Sequence, residues 1–201
     1  MSIFFSIVCA SLTLILTNIG IISHKNKYIQ SYKNYHVIKN KVEYESSYLL
    51  FFSSLTIFLL LNYKGYSVIF SILVTCTTLS TIYVDYLYRV IPDIFSLGMV
   101  WGALLLNSLI PFLDLSTQIY DIIAIYITMN LLNYILEKYT EKFGIGRGDI
   151  KFITGIGACA GVLNCLIILN LAVIARLLFK TSNPAFGPFI GISYLSVLVF
   201  I

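Results

Sequence analysis

Apolar side chains run through this chain in long blocks separated by short polar breaks, with no strand-like alternation. The blocks fall at about 3–22, 47–62, 66–84, 94–112, 119–137, 163–179 and 187–201. Most approach the roughly 20 apolar residues that a helix needs to cross hydrocarbon. A shorter, glycine-containing apolar stretch at 151–161 lies between the fifth block and the sixth. Counted as a short or re-entering helix, it makes about eight membrane segments. The pattern predicts an all-α, polytopic transmembrane bundle. Residues 1–46 form its first helix plus a basic loop, and residues 47–201 form the membrane-embedded remainder.

Composition agrees with lipid as the solvent. Of 201 residues, 59% are hydrophobic and 11% charged, more apolar side chain than a soluble domain of this length can bury. The placement of charge then sets the orientation. With the N-terminus outside and the segments alternating, Lys25, Lys27, Lys33, Lys39, Lys41, Arg89, Lys138, Lys142, Arg147, Lys151, Arg176 and Lys180 face the cytoplasm. Only Lys64 of the 13 basic residues faces out, which is the asymmetry of a cell-membrane protein. The first block has no basic stretch ahead of it and is too long for a typical signal-peptide core, so an uncleaved helix is expected.

The polar stretch 23–46 reads as a solvated basic loop that touches anionic head groups. His24 and His36 lie twelve apart without companions, so no metal site is expected there. Cys9, Cys76, Cys159 and Cys165 all fall in apolar blocks and form no CxxC pair. They read as small buried hydrophobes. Asp114 and Asp121 read as interfacial acids without chemistry. Nothing in the sequence suggests a nucleic-acid partner or fixes an oligomeric state.

Two carboxylates stand out, because an ionisable group beside an apolar segment is costly and is a functional-site hypothesis by default. Asp85 closes one block and is followed by Ile91-Pro92-Asp93. Pro92 opens the next helix, where its missing donor is no loss. Asp93 falls in the first turn, where the helix dipole favours a carboxylate. Asp93 thus has a structural explanation of a kind that Asp85 lacks. The second carboxylate, Asp149, sits in Gly144-Ile145-Gly146-Arg147-Gly148-Asp149-Ile150-Lys151, ahead of Gly155, Gly157 and Gly161. Glycines there let the backbone approach other groups closely. The alternating topology puts both aspartates on one face. Two carboxylates on one water, one protonated and one ionised, can hydrolyse a peptide bond. Such a pair titrates jointly, and no order of roles is assigned to Asp85 and Asp149. Lys151 reads equally as a group that biases a nearby carboxylate and as a snorkelling interfacial lysine, and Arg89 shares that ambiguity towards Asp85 or Asp93.

Over about residues 75 to 201 the chain resembles the type IV prepilin peptidase family, the GxGD-type membrane aspartyl proteases. The resemblance is carried by Asp85 with Ile91-Pro92-Asp93, by Gly146-Arg147-Gly148-Asp149-Ile150-Lys151, and by Phe186-Gly187-Pro188-Phe189. Alone, the last of these reads as a turn and a helix start. The resemblance implies that Asp85 and Asp149 are the catalytic pair and that residues 47–201 are an aspartyl peptidase bundle. Pro92, Asp93, Gly146, Gly148, Lys151, Phe186, Gly187 and Pro188 would support the motifs. It implies substrates too: prepilins or pseudopilins, cut on the cytoplasmic side of an N-terminal hydrophobic helix. Long members of the family carry two CxxC pairs and methylate the new N-terminus. This chain has no CxxC, so neither zinc nor any other cofactor is expected, with S-adenosylmethionine needed only if methylation is retained. Two rival readings remain, a non-catalytic membrane scaffold subunit of a pilus or type II secretion machine and an ion-coupled transporter. The transporter reading predicts acids near mid-membrane, whereas these lie at segment ends.

Overall fold

The computed structural model describes residue 57 and residues 67–111, 113–140, 145–179 and 185–200. The expected segments 3–22 and 47–62, the loop 23–46 with both histidines, Gly144 and the turn at 181–184 lie outside the described residues. The chain divides into two compact units, residues 1–80 and 81–201. Five helices are described, and among the described residues there is no strand. They are α1 (Val68–Tyr88), α2 (Asp93–Leu109), α3 (Leu115–Thr140), α4 (Arg147–Leu178) and α5 (Gly187–Phe200). Within them, Val68–Tyr86, Leu115–Tyr139 and Arg147–Leu178 are long and apolar enough to cross a membrane.

Of the first unit, residue 57, Ser67 and the start of α1 through Ser80 are described. The rest of α1 belongs to the second unit and ends at Arg89. This residue takes a left-handed conformation (φ 55°), and its N–H donates to the Asp85 carbonyl at 2.9 Å. A left-handed residue just past a helix closes the last turn, usually as glycine. Pro92 then caps α2 in extended backbone, its carbonyl accepting the Phe95 N–H at 3.1 Å, and Asp93 is the first helical residue.

The centre of the second unit is the first arm of α4. Residues 152–159 are buried without a break. A helix apolar on all sides must be enclosed by others, and α2, α3 and α5 pack around α4. Glycines allow the approach on two faces. A Cβ at Gly155 would stand 3.1 Å from the Ser96 carbonyl of α2, and one at Gly157 would run into Ile125 of α3.

Helix α4 does not cross as one rod. Gly161 has φ 80° and ψ 167°, outside helical space and in a region that glycine alone enters cheaply. The Cys165 Sγ lies 3.7 Å from the Ile153 carbonyl. Twelve residues of straight helix would separate those positions by about 18 Å, so the arm 162–178 runs back along the arm 147–160. The separation of a short segment at 151–161 from a longer one at 163–179, expected from the sequence, is therefore seen. At about 21 Å, the first arm is shorter than the roughly 30 Å of a hydrocarbon core.

The reversal leaves helical amides and carbonyls unpaired, and α3 supplies partners. Gln118 Nε2 donates to the Ala158 carbonyl at 2.7 Å, and the Val162 N–H donates to Asp121 Oδ2 at 3.2 Å. Asn107 of α2 completes the network, donating to Gln118 Oε1 at 2.9 Å while its own Oδ1 accepts the Leu113 N–H at 3.0 Å. Asn107 and Gln118 are buried. Irregular backbone inside an apolar bundle persists where protein groups satisfy it in this way. Asp121 and Asp114 thus have structural work. Asp121 holds the turn, and Asp114 accepts hydrogen bonds from Ser116 and Thr117 at the start of α3.

Candidate active site

The segment ends opposite the Gly161 turn bring the sequence motifs together. Asp85, one turn before the end of α1, is 5% exposed. Its Oδ2 accepts the Gly187 N–H at 2.9 Å, the first amide of α5. The helix start that looked ordinary in sequence therefore supplies a backbone donor to the first aspartate. Pro188 follows in the first turn of α5, where a helix needs no donor.

Asp149 is the third residue of α4 and Gly146 is its N-cap. The carboxyl folds back over the cap, so that a Cβ at Gly146 would stand 2.8 Å from Asp149 Oδ2. An acid at this position normally reaches back towards the start of its helix. Asp149 is half-buried and accepts no hydrogen bond from any described residue. It lies within electrostatic reach of Asp85, on a different helix, and of Arg176 at the end of the second arm. Each carboxyl group thus lies at a helix N-terminus, Asp85 at that of α5 and Asp149 at that of α4, where backbone dipoles present their positive ends.

Ile91 joins the motifs. It is buried, and a Cβ at Gly148 would come within 3.0 Å of its Cβ. At Gly187 a Cβ would come within 3.1 Å of Ile91 Cδ1 and 2.6 Å of Asp85 Oδ2. Each of the three motif glycines, Gly146, Gly148 and Gly187, thus leaves the space that a carboxyl or Ile91 occupies.

The remaining motif residues act at the rim. Lys151 Nζ lies 2.7 Å from Asp93 Oδ1, joining the first turns of α4 and α2. Lys151 is thus tied to Asp93. Arg89 forms no ion pair with Asp85 or Asp93 among the described residues. Two contributors carry no motif and escaped the sequence reading. Asn133 Oδ1 of α3 accepts the Ile145 N–H and anchors the glycine-rich approach to Asp149. Arg176 stands 5.2 Å over the Phe186 ring. Cys76, Cys159 and Cys165 are free thiols. Among the described residues, no three His, Cys, Asp or Glu side chains gather into a metal-binding group.

Comparison with known proteins points the same way. Residues 70–180 match the type IV leader peptidase family. Curated relatives include the prepilin leader peptidase/N-methyltransferases of Aeromonas hydrophila, 26% identical over 64% of this chain and 48% of that protein. That of Neisseria gonorrhoeae is 28% identical over 61% of this chain and 45% of that protein. That of Escherichia coli is 25% identical over 58% of this chain and 56% of that protein. The chain therefore spans about half the length of the curated relatives it matches. No solved structure matches it. With the family match covering more than half of its residues, this chain belongs to the type IV leader peptidase family.

Proposed function

We propose that this protein is a membrane aspartic endopeptidase that removes the leader of type IV prepilins or pseudopilins. The observation that carries the reading is that the Gly148 start of the Asp149 helix and the Gly187 donor to Asp85 both pack against Ile91, with a motif glycine making room for each carboxyl. In this reading one carboxylate takes a proton from the attacking water. The other, protonated, polarises the scissile carbonyl and later helps to protonate the leaving amine. Asp85 is oriented by the Gly187 amide, and Asp149 folds back into the space left by Gly146. The two roles belong to the pair and are not divided between its members.

The proposed setting is the cell membrane, with about eight segments, the N-terminus outside and the dyad facing the cytoplasm. The basic residues on one face support it. A hydrophobic helix with a polar leader, as a prepilin presents, would lie in the bilayer with its cleavage site at the level of the dyad. The relatives' printed name adds an N-methyltransferase activity. For this chain that is a separate proposal, and it would need S-adenosylmethionine.

The test is co-expression with prepilins, following the mass of the pilin N-terminus. Loss of the leader with wild type, and its retention with Asp85→Asn and with Asp149→Asn, is the expected result. A further gain of about 14 Da on the new N-terminus would add methylation. Leaders left intact across a panel of prepilins by a well-inserted wild type would instead make the chain a scaffold subunit of a pilus or secretion machine.

A further inference from the structure

We propose that Arg176 is a positioning residue of the site: its guanidinium holds Phe186, and through Phe186 the Gly187 amide that fixes Asp85. The inference rests on the dyad reading above. It begins from a contact that no motif contains. Arg176 lies in the last turn of α4, and its guanidinium carbon stands 5.2 Å over the Phe186 ring. The next residue, Gly187, donates its N–H to Asp85 at 2.9 Å. Contact there is close enough that a Cβ would reach within 2.6 Å of the carboxylate. The Phe186–Gly187 peptide thus has little room to move in either direction. Drawn back by an ångström it loses the hydrogen bond, and pushed forward it collides with the carboxylate.

The same guanidinium lies within electrostatic reach of Asp149. One side chain therefore addresses both halves of the site, Asp149 through charge and Asp85 through the ring it covers. The ordinary role of an exposed arginine at this place is to snorkel at the interface and complement the C-terminal end of its helix. That role needs a positive charge and nothing more, so lysine would serve it. Covering a ring with a flat guanidinium is a geometric task that lysine performs poorly.

The experiment measures kcat and KM for a prepilin that wild type cleaves, in membranes containing equal amounts of each full-length variant. Arg176→Lys is expected to lower kcat about fivefold, and Arg176→Met about tenfold or more, with KM unchanged, because a misplaced catalytic group costs rate without weakening substrate binding. Phe186→Leu is expected to lower kcat more than Phe186→Tyr, and adding the charge-retaining Arg176→Lys to Phe186→Leu is expected to cost little further. A wild-type kcat in Arg176→Lys, or fully additive effects of Arg176→Lys and Phe186→Leu, would overturn the inference. The aspartate variants separate this from the reading beneath it. If Asp85→Asn and Asp149→Asn are inactive while the Arg176 variants are not, the arginine inference alone fails. Cleavage at the wild-type rate by either aspartate variant removes the dyad and this inference together.

Discussion

At the Gly161 end of the second unit, chain reversal strands a carbonyl and an amide, and side chains of α3 take both. Gln118 bonds the Ala158 carbonyl and Asn107, and Asp121 takes the Val162 amide. At the opposite end two carboxyl groups come together with far less help. Asp85 has one backbone donor, and Asp149 has none among the described residues. Both ends place polar groups inside an apolar bundle, where satisfying them is what holds irregular structure in place. The difference is in what remains to be done. The first network closes on itself, as a structural brace does. The second leaves carboxylate oxygens without protein donors among the described residues, as the proposed dyad requires.

The sharpest way to break this contrast is at the carboxylates. Asp85→Asn and Asp149→Asn are each expected to lower cleavage by about 10³-fold or more, the upper range for a general acid or base. Protein levels in the membrane should stay as in wild type. Wild-type cleavage by either variant would leave the two ends alike, both structural. Glycine substitutions come next and pull the two ends apart. Gly187→Ala places a Cβ 2.6 Å from Asp85 Oδ2, so about a 10²-fold loss of kcat is expected, with a modest change in thermal midpoint. Gly161→Ala forces alanine to φ 80° and ψ 167°, at a cost of about 1–3 kcal/mol, and should lower stability while folded protein keeps its kcat. Thermal unfolding in detergent alongside single-turnover cleavage reads both quantities.

How much of this was legible beforehand follows the same division. The site end could be read because the chemistry proposed for it needs residue types that are rare in an apolar chain. Asp85 and Asp149 stand out against lipid, and the glycines beside them mark close approach before any coordinates exist. Among the described helices, the apolar blocks fell within about four residues of the observed ends and set 151–161 apart from 163–179, while the role of Gly161 in the break needed the fold. Gln118 and Asn107 were not legible, because a lone amide in a helix looks the same whether it faces water or caps a distant carbonyl. Arg176 and Asn133 were missed for a related reason. Their partners, Phe186 and Ile145, lie 10 and 12 residues away, at spacings that no helical periodicity links. Asp93 was read as a helix-start acid, which it is, but its pairing with Lys151 across 58 residues needed the fold.

Two smaller effects sharpen the comparison further. Gln118→Leu removes the hydrogen bond from Asn107 and strands the Ala158 carbonyl, which costs about 1–3 kcal/mol when buried without a partner. A lower thermal midpoint with kcat retained in the folded fraction is the expected result, and loss of kcat at full stability would place the Gly161 brace inside the catalytic machinery. Asp93→Asn removes an ion pair that is 32% exposed on the lysine side and 61% on the aspartate side, where such pairs contribute at most about 1 kcal/mol. Its effect on cleavage should be several-fold, far below that of Asp85→Asn, and Lys151→Met should reproduce it.

The smallest effect concerns Asp114, which lies in the connection between α2 and α3 and outside the spanning segments. The Ser116 hydroxyl and then the Thr117 N–H and hydroxyl bind its carboxylate and hold its pKa below the ordinary value. A carboxylate whose folded pKa is depressed contributes stability above the unfolded value of about 3.9 and loses it as pH falls through the folded value. Asp114→Ala should therefore lower the thermal midpoint slightly at neutral pH, with the gap from wild type closing as the pH is taken below about 3.9. A gap of constant size at every pH would mean that the cap acts through shape rather than charge. Because this carboxylate already has donors from Ser116 and Thr117, kcat per folded molecule should not change. That pairs Asp114 with the Gly161 brace as structure and sets both apart from the under-supplied carboxyls, Asp85 and Asp149, that are proposed to carry the chemistry.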